Sequence, residues 1–170
     1  MRGSQRGVID ELVVELLVNG GLRAQELCSL DIRDLPVSHG KPVIYVRDGK
    51  GKVSRSIDVP QSLEQRLQRF VRLYRKGAKP ESPLFVNARG KRVIYRSIYE
   101  KIKKLGKNSG IGHLHPHMLR HTYGTRLYNV EMDLRFVQDQ LGHASPTTTA
   151  IYAKTNSKAR RRQVQALDEI

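Results

Sequence analysis

Large aromatic side chains and cysteine are scarce in this chain of 170 residues, which has no tryptophan, three phenylalanines and one cysteine, Cys28. A single cysteine cannot form an internal disulfide, and no group of Cys and His has zinc-finger spacing. The sequence therefore excludes a disulfide-stabilised fold and a zinc finger. We expect Cys28 to be a small buried residue on a helix. The shortage of aromatic rings disfavours binding of single strands by base stacking, although seven tyrosines keep that class open.

Long apolar segments and acidic residues are scarce as well. No apolar run approaches the length of a membrane span and the start has no signal-peptide core, so we expect a soluble, cytoplasmic protein with no membrane partner. Asp and Glu number 16 against 31 Lys and Arg, a net charge of +15. Such an excess favours a polyanionic partner, because each neutralised phosphate releases condensed counterions. The composition therefore favours nucleic acid, and duplex DNA fits best.

The length fits one domain, which we assign to residues 1–170. Residues 1–7 are treated as an artificial or disordered start, and residues 156–170 as a basic tail, helical from about 158 to 168. Apolar residues at helical spacing predict helices near residues 9–17, 23–29, 63–74, 98–106, 117–128 and 134–141. Another helix is predicted after Ser145-Pro146, ending near Tyr152.

Two of these helices carry capping-box patterns, Ser62 with Gln65 and Ser97 with Glu100, which predict their N-termini. Alternating residues predict strands at 43–46 and 55–59, joined through the turn Asp48-Gly49 into a β-hairpin. Residues 84–86 are a candidate short strand. The predicted fold class is α+β, mostly helical, with a small antiparallel sheet.

The C-terminal third concentrates groups suited to phosphodiester chemistry. His117, Arg120, His143 and Tyr152 follow one another there, and Arg23 supplies a second guanidinium from the start of the chain. A phenol that attacks a phosphodiester needs cations for the non-bridging oxygens and proton donors for the developing charge. Each residue alone more commonly has a structural role, such as a surface ion pair or half-buried packing.

The order Arg, Lys, His-x-x-Arg, His, Tyr resembles the tyrosine recombinases, also called phage-type integrases, over nearly the whole chain. The matching segments are Gly21-Leu22-Arg23-Ala24-Gln25-Glu26-Leu27, Gly49-Lys50-Gly51, His117-Met118-Leu119-Arg120-His121-Thr122, Leu141-Gly142-His143 and Ile151-Tyr152-Ala153. The resemblance implies the tyrosine-recombinase catalytic fold. It also implies a site-specific recombinase that cuts and rejoins DNA through a 3′-phosphotyrosyl intermediate, without metal or ATP.

The resemblance also implies a role for each residue. Arg23 and Arg120 clamp the non-bridging oxygens, and Glu26 orients Arg23. Tyr152 is the nucleophile. His117 transfers protons and donates hydrogen bonds, and His143 donates a hydrogen bond to the scissile phosphate.

The resemblance also implies that Lys50 is the general acid that protonates the leaving 5′ oxygen, with Lys52 as the alternative on the same hairpin. Other basic residues are candidate DNA contacts, although such residues commonly form a solvated surface. They are Lys52, Arg55, Lys101 and Lys104. His113, His115 and His117 form an i, i+2, i+4 set, but Pro116 makes a metal site on one helix face improbable. His121, Tyr123 and Tyr128 are expected to be structural.

Two other functions are compatible with the same sequence. A type IB topoisomerase-like enzyme would nick and close DNA without synapsis, and a non-catalytic module would retain the fold for DNA binding alone. The family resemblance implies a homotetramer on DNA for a full-length parent, and we expect the chain alone to be monomeric. Its basic tail would dock on a neighbouring protomer or fold back in cis.

Family members usually carry an N-terminal core-binding domain that closes a clamp around DNA, and Arg23 lies so near Met1 that we expect this domain to be absent. Half of the clamp would then be missing. We therefore predict weak DNA binding and poor strand exchange by this chain alone. A gel-shift assay measures this directly, and tight, site-specific binding would contradict the prediction.

Overall fold

The computed structural model describes residues 2–35, 41–48, 53–131 and 133–142. In these ranges the chain forms α1 (Arg2–Val18), α2 (Ala24–Ser29), a 3-10 helix (Ile32–Asp34), β1 (Val43–Arg47), β2 (Val53–Asp58), α3 (Gln61–Tyr74), α4 (Tyr95–Asn108), α5 (Pro116–Glu131) and α6 (Leu134–Leu141). The predicted α+β class, mostly helical with a small antiparallel sheet, is confirmed. No helix within these ranges is long and apolar enough to cross a membrane.

Helix α1 is the central element of the core. Its residues Leu12, Val13, Leu16 and Leu17 are fully buried, and the helix contacts α2, α3, α4 and α5. Each fully buried aliphatic side chain stabilises the fold by about 1.5–3 kcal/mol. Packing on α1 therefore fixes how the N-terminal and C-terminal helices lie relative to each other.

Polar contacts from three other helices also hold α1. Arg66 of α3 bridges Glu11 and Glu15, and Lys101 of α4 pairs with Asp10. The side chain of Arg126 on α5 donates a hydrogen bond of 3.2 Å to that of Asn19, just beyond the end of α1. These contacts orient the surrounding helices, while the buried apolar area supplies most of the stability.

The hairpin is antiparallel, with Ile44 opposite Ile57 and Val46 opposite Arg55. Ile44 and Ile57 are fully buried. Because side chains alternate along a strand, Arg55 lies on the same inward face as Ile57. That face packs on α6.

Both capping predictions are wrong by a few residues. Helix α3 begins at Gln61 with Pro60 as its N-cap, and α4 begins at Tyr95 with Ile94 as its N-cap. The Pro60 carbonyl accepts the first helical N–H groups of α3, and the Ile94 carbonyl does the same for α4. Ser62 and Ser97 therefore lie inside the first turn. In place of the predicted strand at 84–86 the structure has two isolated bridges, Asp31 with Pro83 and Val86 with Arg92.

Other local predictions are confirmed. Helix α6 spans Leu134–Leu141 and ends at Gly142, which adopts the left-handed conformation with φ 61°. Cys28 is buried on α2, where burial raises the pKa of its thiol to about 11. Tyr123 and Tyr128 are buried packing residues on α5. The helix predicted after Ser145-Pro146 and the helical tail lie outside the described residues.

The turn after α1 predicts a strong response to one added methyl group. Gly21 has φ 59°, and a Cβ there would lie 2.3 Å from a ring carbon of Tyr123. Gly21→Ala should therefore lower the free energy of unfolding by about 2–4 kcal/mol, from backbone strain and overpacking together. Urea-induced unfolding followed by circular dichroism measures the loss.

Gly77→Ala is the matched control for that measurement. Gly77 has φ 76°, but a Cβ there would meet no atom within 4 Å. Only the strain of a left-handed backbone remains, which costs about 1 kcal/mol. Equal losses in the two variants would show that the contact with Tyr123 contributes nothing.

Candidate active site

The site begins at the turn between α1 and α2, where Arg23 is the N-cap of α2 with φ −72° and ψ 148°. Glu26 occupies the third position of this helix, and its Oε2 accepts the Arg23 backbone N–H at 2.7 Å. This contact satisfies one of the N–H groups that a helix start leaves unpaired. The Arg-x-x-Glu spacing thus places a guanidinium and a carboxylate side by side.

The Glu26 carboxylate joins arginines from three elements. Its Oε1 accepts a hydrogen bond of 2.8 Å from Arg23 Nη1. Arg55 of β2 binds both oxygens, Nη1 to Oε1 at 2.7 Å and Nη2 to Oε2 at 2.8 Å. Arg120 of α5 lies 3.8 Å from Oε2. One carboxylate therefore offsets part of the repulsion among three cations.

The C-terminal end of α6 is the second point where these arginines meet. Three successive carbonyls each accept a hydrogen bond from a different arginine: Gln140 from Arg55 Nε at 3.4 Å, Leu141 from Arg120 Nη2 at 2.5 Å, and Gly142 from Arg23 Nη2 at 3.0 Å. The end of a helix leaves its last carbonyls without intrahelical partners and carries partial negative charge. It is therefore a favourable place for cations.

Arg23 and Arg120 differ in exposure. Arg120 is 3% exposed, and its Nη1 also donates to the Gly21 carbonyl. The side chain of Arg23 is 45% exposed. Arg23 is thus open to an incoming anion, whereas Arg120 supplies its charge from beneath the surface.

His117 lies one turn before Arg120 on α5, and its side chain is only partly covered by the protein. Partial burial lowers the pKa of His117, and the positive charge of Arg120 lowers it further. The lowered pKa favours a neutral imidazole near pH 7, which can both accept and donate a proton. The ring also lies parallel to that of His115, with centroids 6.5 Å apart.

An open cleft of about 670 Å³ lies beside the arginines. Arg23 and Arg55 line it together with Gly142 from the end of α6, and Arg47 and Ser54 contribute from the hairpin. The cleft is mainly polar. Its lining includes three arginines and three carboxylates, those of Glu26, Asp48 and Asp139, so the exposed Arg23, and not the net charge of the cleft, suits it to a phosphate-bearing ligand.

Comparison with known proteins gives the family. A model of the phage integrase family matches residues 2–159. The chain belongs to this family. The structural likeness agrees: a crystal structure of XerA recombinase superposes with a TM-score of 0.76 and 32% identity, over 92% of this chain and 62% of that one.

Individual relatives of this integrase-family chain are tyrosine recombinases. XerC of Thermodesulfovibrio yellowstonii is 37% identical over 156 residues, covering 88% of the chain and 51% of the relative. XerA of Pyrococcus horikoshii is 37% identical over 160 residues, covering 92% of the chain and 54% of the relative. The chain thus spans about half the length of these relatives.

One further structure of a relative holds DNA. XerH site-specific recombinase, bound to a palindromic difH substrate after cleavage, superposes with a TM-score of 0.77 and 26% identity, over 98% of the chain and 47% of that protein. The fold of the integrase-family domain is therefore shared with a protein that binds DNA.

The structure brings together Arg23, Glu26 and Arg120, and His117 lies one turn from Arg120 on α5. Four other residues that the sequence assigned to the site, Lys50, Lys52, His143 and Tyr152, lie outside the described residues. His143 directly follows Gly142, so the chain enters that segment from the arginine cluster.

Two of the candidate DNA contacts have partners within the protein. Arg55 was a candidate DNA contact, but its side chain is 13% exposed and binds Glu26, because it lies on the inward face of β2. Lys101 pairs with Asp10 on α1. Lys104 is exposed on α4. Within the ranges that the structure describes, no group of three or more His, Cys, Asp or Glu could hold a metal ion.

Sequence reasoning missed the part played by Gln140. This buried amide donates to Asp58 Oδ2 at 2.8 Å and accepts the Asp58 backbone N–H at 3.0 Å. The hydroxyl of Tyr123 lies 3.3 Å from the same amide oxygen. The available signal was a polar residue one turn after Val137, on the apolar face of an amphipathic helix.

The arginine contacts set the ionisation of Glu26. Burial raises the pKa of this carboxyl, but hydrogen bonds from Arg55 and Arg23 outweigh burial and lower the pKa from 4.5 to about 2. Because the folded-state pKa is depressed, the ionised group stabilises the fold above pH 4.5. This contribution is lost as the pH falls from 4.5 towards 2.

Glu26→Gln should therefore lower the free energy of unfolding at pH 7 by about 3 kcal/mol, since it leaves clustered cations without their counter-charge. The loss of stability between pH 4.5 and pH 2 should be smaller in the variant than in the parent chain. Urea titrations at a series of pH values measure both effects.

Glu64→Gln is the control, because the Glu64 carboxylate accepts its hydrogen bond from the neutral amide of Gln68. It should change stability at pH 7 by less than about 0.5 kcal/mol. An acid-unfolding curve that is identical in the parent chain and in Glu26→Gln would contradict the assigned role of Glu26.

Proposed function

We propose that residues 1–170 form the catalytic domain of a site-specific DNA recombinase, which breaks and rejoins DNA through a covalent 3′-phosphotyrosyl link. One observation carries the proposal: Arg23 and Arg120, far apart in sequence, meet at Glu26 and at the end of α6. Next along the chain comes His143, followed by Tyr152. The tyrosine recombinases among the relatives support the reaction class.

In the proposed reaction the Tyr152 hydroxyl oxygen attacks phosphorus in line. A bond from phosphorus to the phenol oxygen forms as the bond from phosphorus to the 5′ oxygen breaks. The phenol proton passes to a neutral base, for which His117 is the candidate, since its lowered pKa keeps it able to accept. Lys50 donates a proton to the 5′ oxygen, with Lys52 as the alternative donor.

The arginines stabilise the charge that develops on the non-bridging oxygens. Three guanidinium groups and one carboxylate leave positive charge in excess around Glu26. Arg23 contacts the phosphate directly because it is exposed, and Arg120 acts from the buried side. Fixed charges of this kind need no reorganisation during the reaction, which is the main source of transition-state stabilisation.

The reaction as proposed needs neither ATP nor a metal cofactor. The free energy of the broken phosphodiester is retained in the phosphotyrosyl link, and attack by a 5′-hydroxyl reverses the first step. Cationic side chains supply the charge stabilisation that metal ions give in other phosphoryl-transfer sites.

The partner of the proposed enzyme is double-stranded DNA. The structures of relatives in complex with DNA support this partner, among them XerH with difH and the Tn1549 transposon integrase with circular-intermediate DNA. We propose a homotetramer on DNA for a longer parent protein and a monomer for the chain alone. A cytoplasmic location follows, because the substrate is chromosomal or mobile-element DNA.

A nicked suicide duplex tests the proposal. Cleavage near the nick releases a short fragment, so the covalent adduct accumulates and can be counted on a denaturing gel. A pool of duplexes randomised around the nick replaces the unknown target site. The parent chain should form an adduct, and Tyr152→Phe should form none, because it lacks the nucleophile. Arg23→Ala should slow adduct formation by about 10²–10³-fold.

Tyr128→Phe is the matched control, since Tyr128 is a buried packing residue on α5, and it should retain activity. Adduct formation by Tyr152→Phe, or its absence in the parent chain, would overturn the proposal. Absence together with retained DNA binding would indicate a non-catalytic module. Relaxation of supercoiled plasmid without resolution of a four-way junction would indicate a topoisomerase-like enzyme.

A further inference from the structure

Arg55 occupies an unusual place for a hairpin arginine in a basic protein. Its guanidinium binds both oxygens of Glu26, at 2.7 Å and 2.8 Å, and its Nε donates to the Gln140 carbonyl at 3.4 Å. A single side chain from β2 thus connects the start of α2 to the end of α6. These are the two places where Arg23 is also held.

The packing around Arg55 fits this connecting position closely. A Cβ added to Gly142 would lie 2.7 Å from Arg55 Cδ, so the side chain passes directly against the backbone at the end of α6. The left-handed φ of 61° at Gly142 also favours glycine. Glycine therefore serves two purposes here, ending the helix and leaving room for the arginine.

A direct contact with DNA is the competing role for Arg55. The side chain is 13% exposed, against 45% for Arg23. Two of its nitrogen atoms are already bound to the carboxylate. A phosphate contact would have to compete with a short, bidentate, mostly buried ion pair, which is among the stronger polar interactions in proteins.

We infer that Arg55 is a positioning residue for the proposed strand-cleavage reaction. It fixes the orientation of Glu26, which in turn holds Arg23, and it ties α2 to the end of α6 through the Gln140 carbonyl. This inference rests on the proposed function. Its consequence is that Arg55 acts on the rate of cleavage and not on the affinity for DNA.

The planar fork of arginine is what this position requires. A lysine at residue 55 could make one bond to Glu26, but it could not bridge both carboxylate oxygens and reach Gln140 at the same time. Arg55→Lys should therefore keep the charge and lose part of the geometry. Arg55→Gln should lose both.

Single-turnover adduct formation with the randomised nicked duplex, measured as a function of DNA concentration, separates rate from affinity. For Arg55→Gln we expect the rate at saturating DNA to fall by roughly 10²-fold, the size of effect that misplacement of a reacting group produces. For Arg55→Lys we expect a smaller loss, on the order of tenfold. The concentration giving half-maximal rate should change by less than about threefold in both variants.

The salt dependence of binding gives a second readout. An arginine that neutralises a phosphate contributes about one unit to the slope of log affinity against log salt. The slope should therefore be unchanged in Arg55→Gln. Arg66→Gln is the matched control, because it also removes an arginine bridging two carboxylates, Glu11 and Glu15, but on the contact between α1 and α3. It should leave the cleavage rate unchanged.

Circular dichroism and thermal unfolding of each variant precede the kinetics, and Arg55→Lys replaces Arg55→Gln if the latter does not fold. An unchanged rate at saturating DNA would overturn the inference, as would a loss of affinity with a smaller salt slope, which would mean a direct DNA contact. An equal loss in Arg66→Gln would also overturn it. All three results require an active parent chain, whereas an inactive parent chain overturns the proposed function and this inference with it.

Discussion

The structure of the candidate site depends on one carboxylate, that of Glu26. Arginines from the start of α2, from β2 and from α5 surround it, and like charges this close would repel one another without it. Hydrogen bonds from Arg55 and Arg23 keep it ionised despite its burial. The cleft lies beside this ion-pair cluster, since Arg23, Glu26 and Arg55 are among the residues that line it.

The C-terminal end of α6 also holds the three arginines. Its unpaired carbonyls accept one hydrogen bond from each of the three arginines, so the backbone and a single side chain share the task of holding the cations. The Gln140 amide fixes the same helix end to β2 and lies beside Tyr123 of α5. The hydrogen bonds of the neutral Gln140 amide thus fix the helix end at which the three arginines meet.

Local sequence patterns predicted much of the fold, because periodicity and glycine stops act over a few residues. The bounds of α6 and the antiparallel hairpin followed from such patterns. The N-termini of α3 and α4 did not, since the Pro60 and Ile94 backbone carbonyls, not serine side chains, accept the first helical N–H groups. Serine near a helix start is only a weak guide when the backbone itself can begin the helix.

The sequence predicted which residues form much of the candidate site, but not the contacts that they make with one another. Motif order pointed to Arg23, Glu26 and Arg120, but nothing local shows that Arg55 turns inward to bind Glu26. That contact joins residues 29 positions apart and depends on the register of β2. The same limit applies to Gln140, whose partner Asp58 is 82 positions away.

The long separations in this cluster have a consequence for synthesis of the protein. Arg23 reaches the Gly142 carbonyl across 119 positions, and Arg120 reaches that of Gly21 across 99. Closing such long loops is slow and requires most of the chain to be present. A ribosome-bound intermediate that still lacks α5 and α6 therefore has neither Arg120 nor the helix end whose carbonyls hold the arginines. The complete cluster can form only after α5 and α6 have left the ribosome.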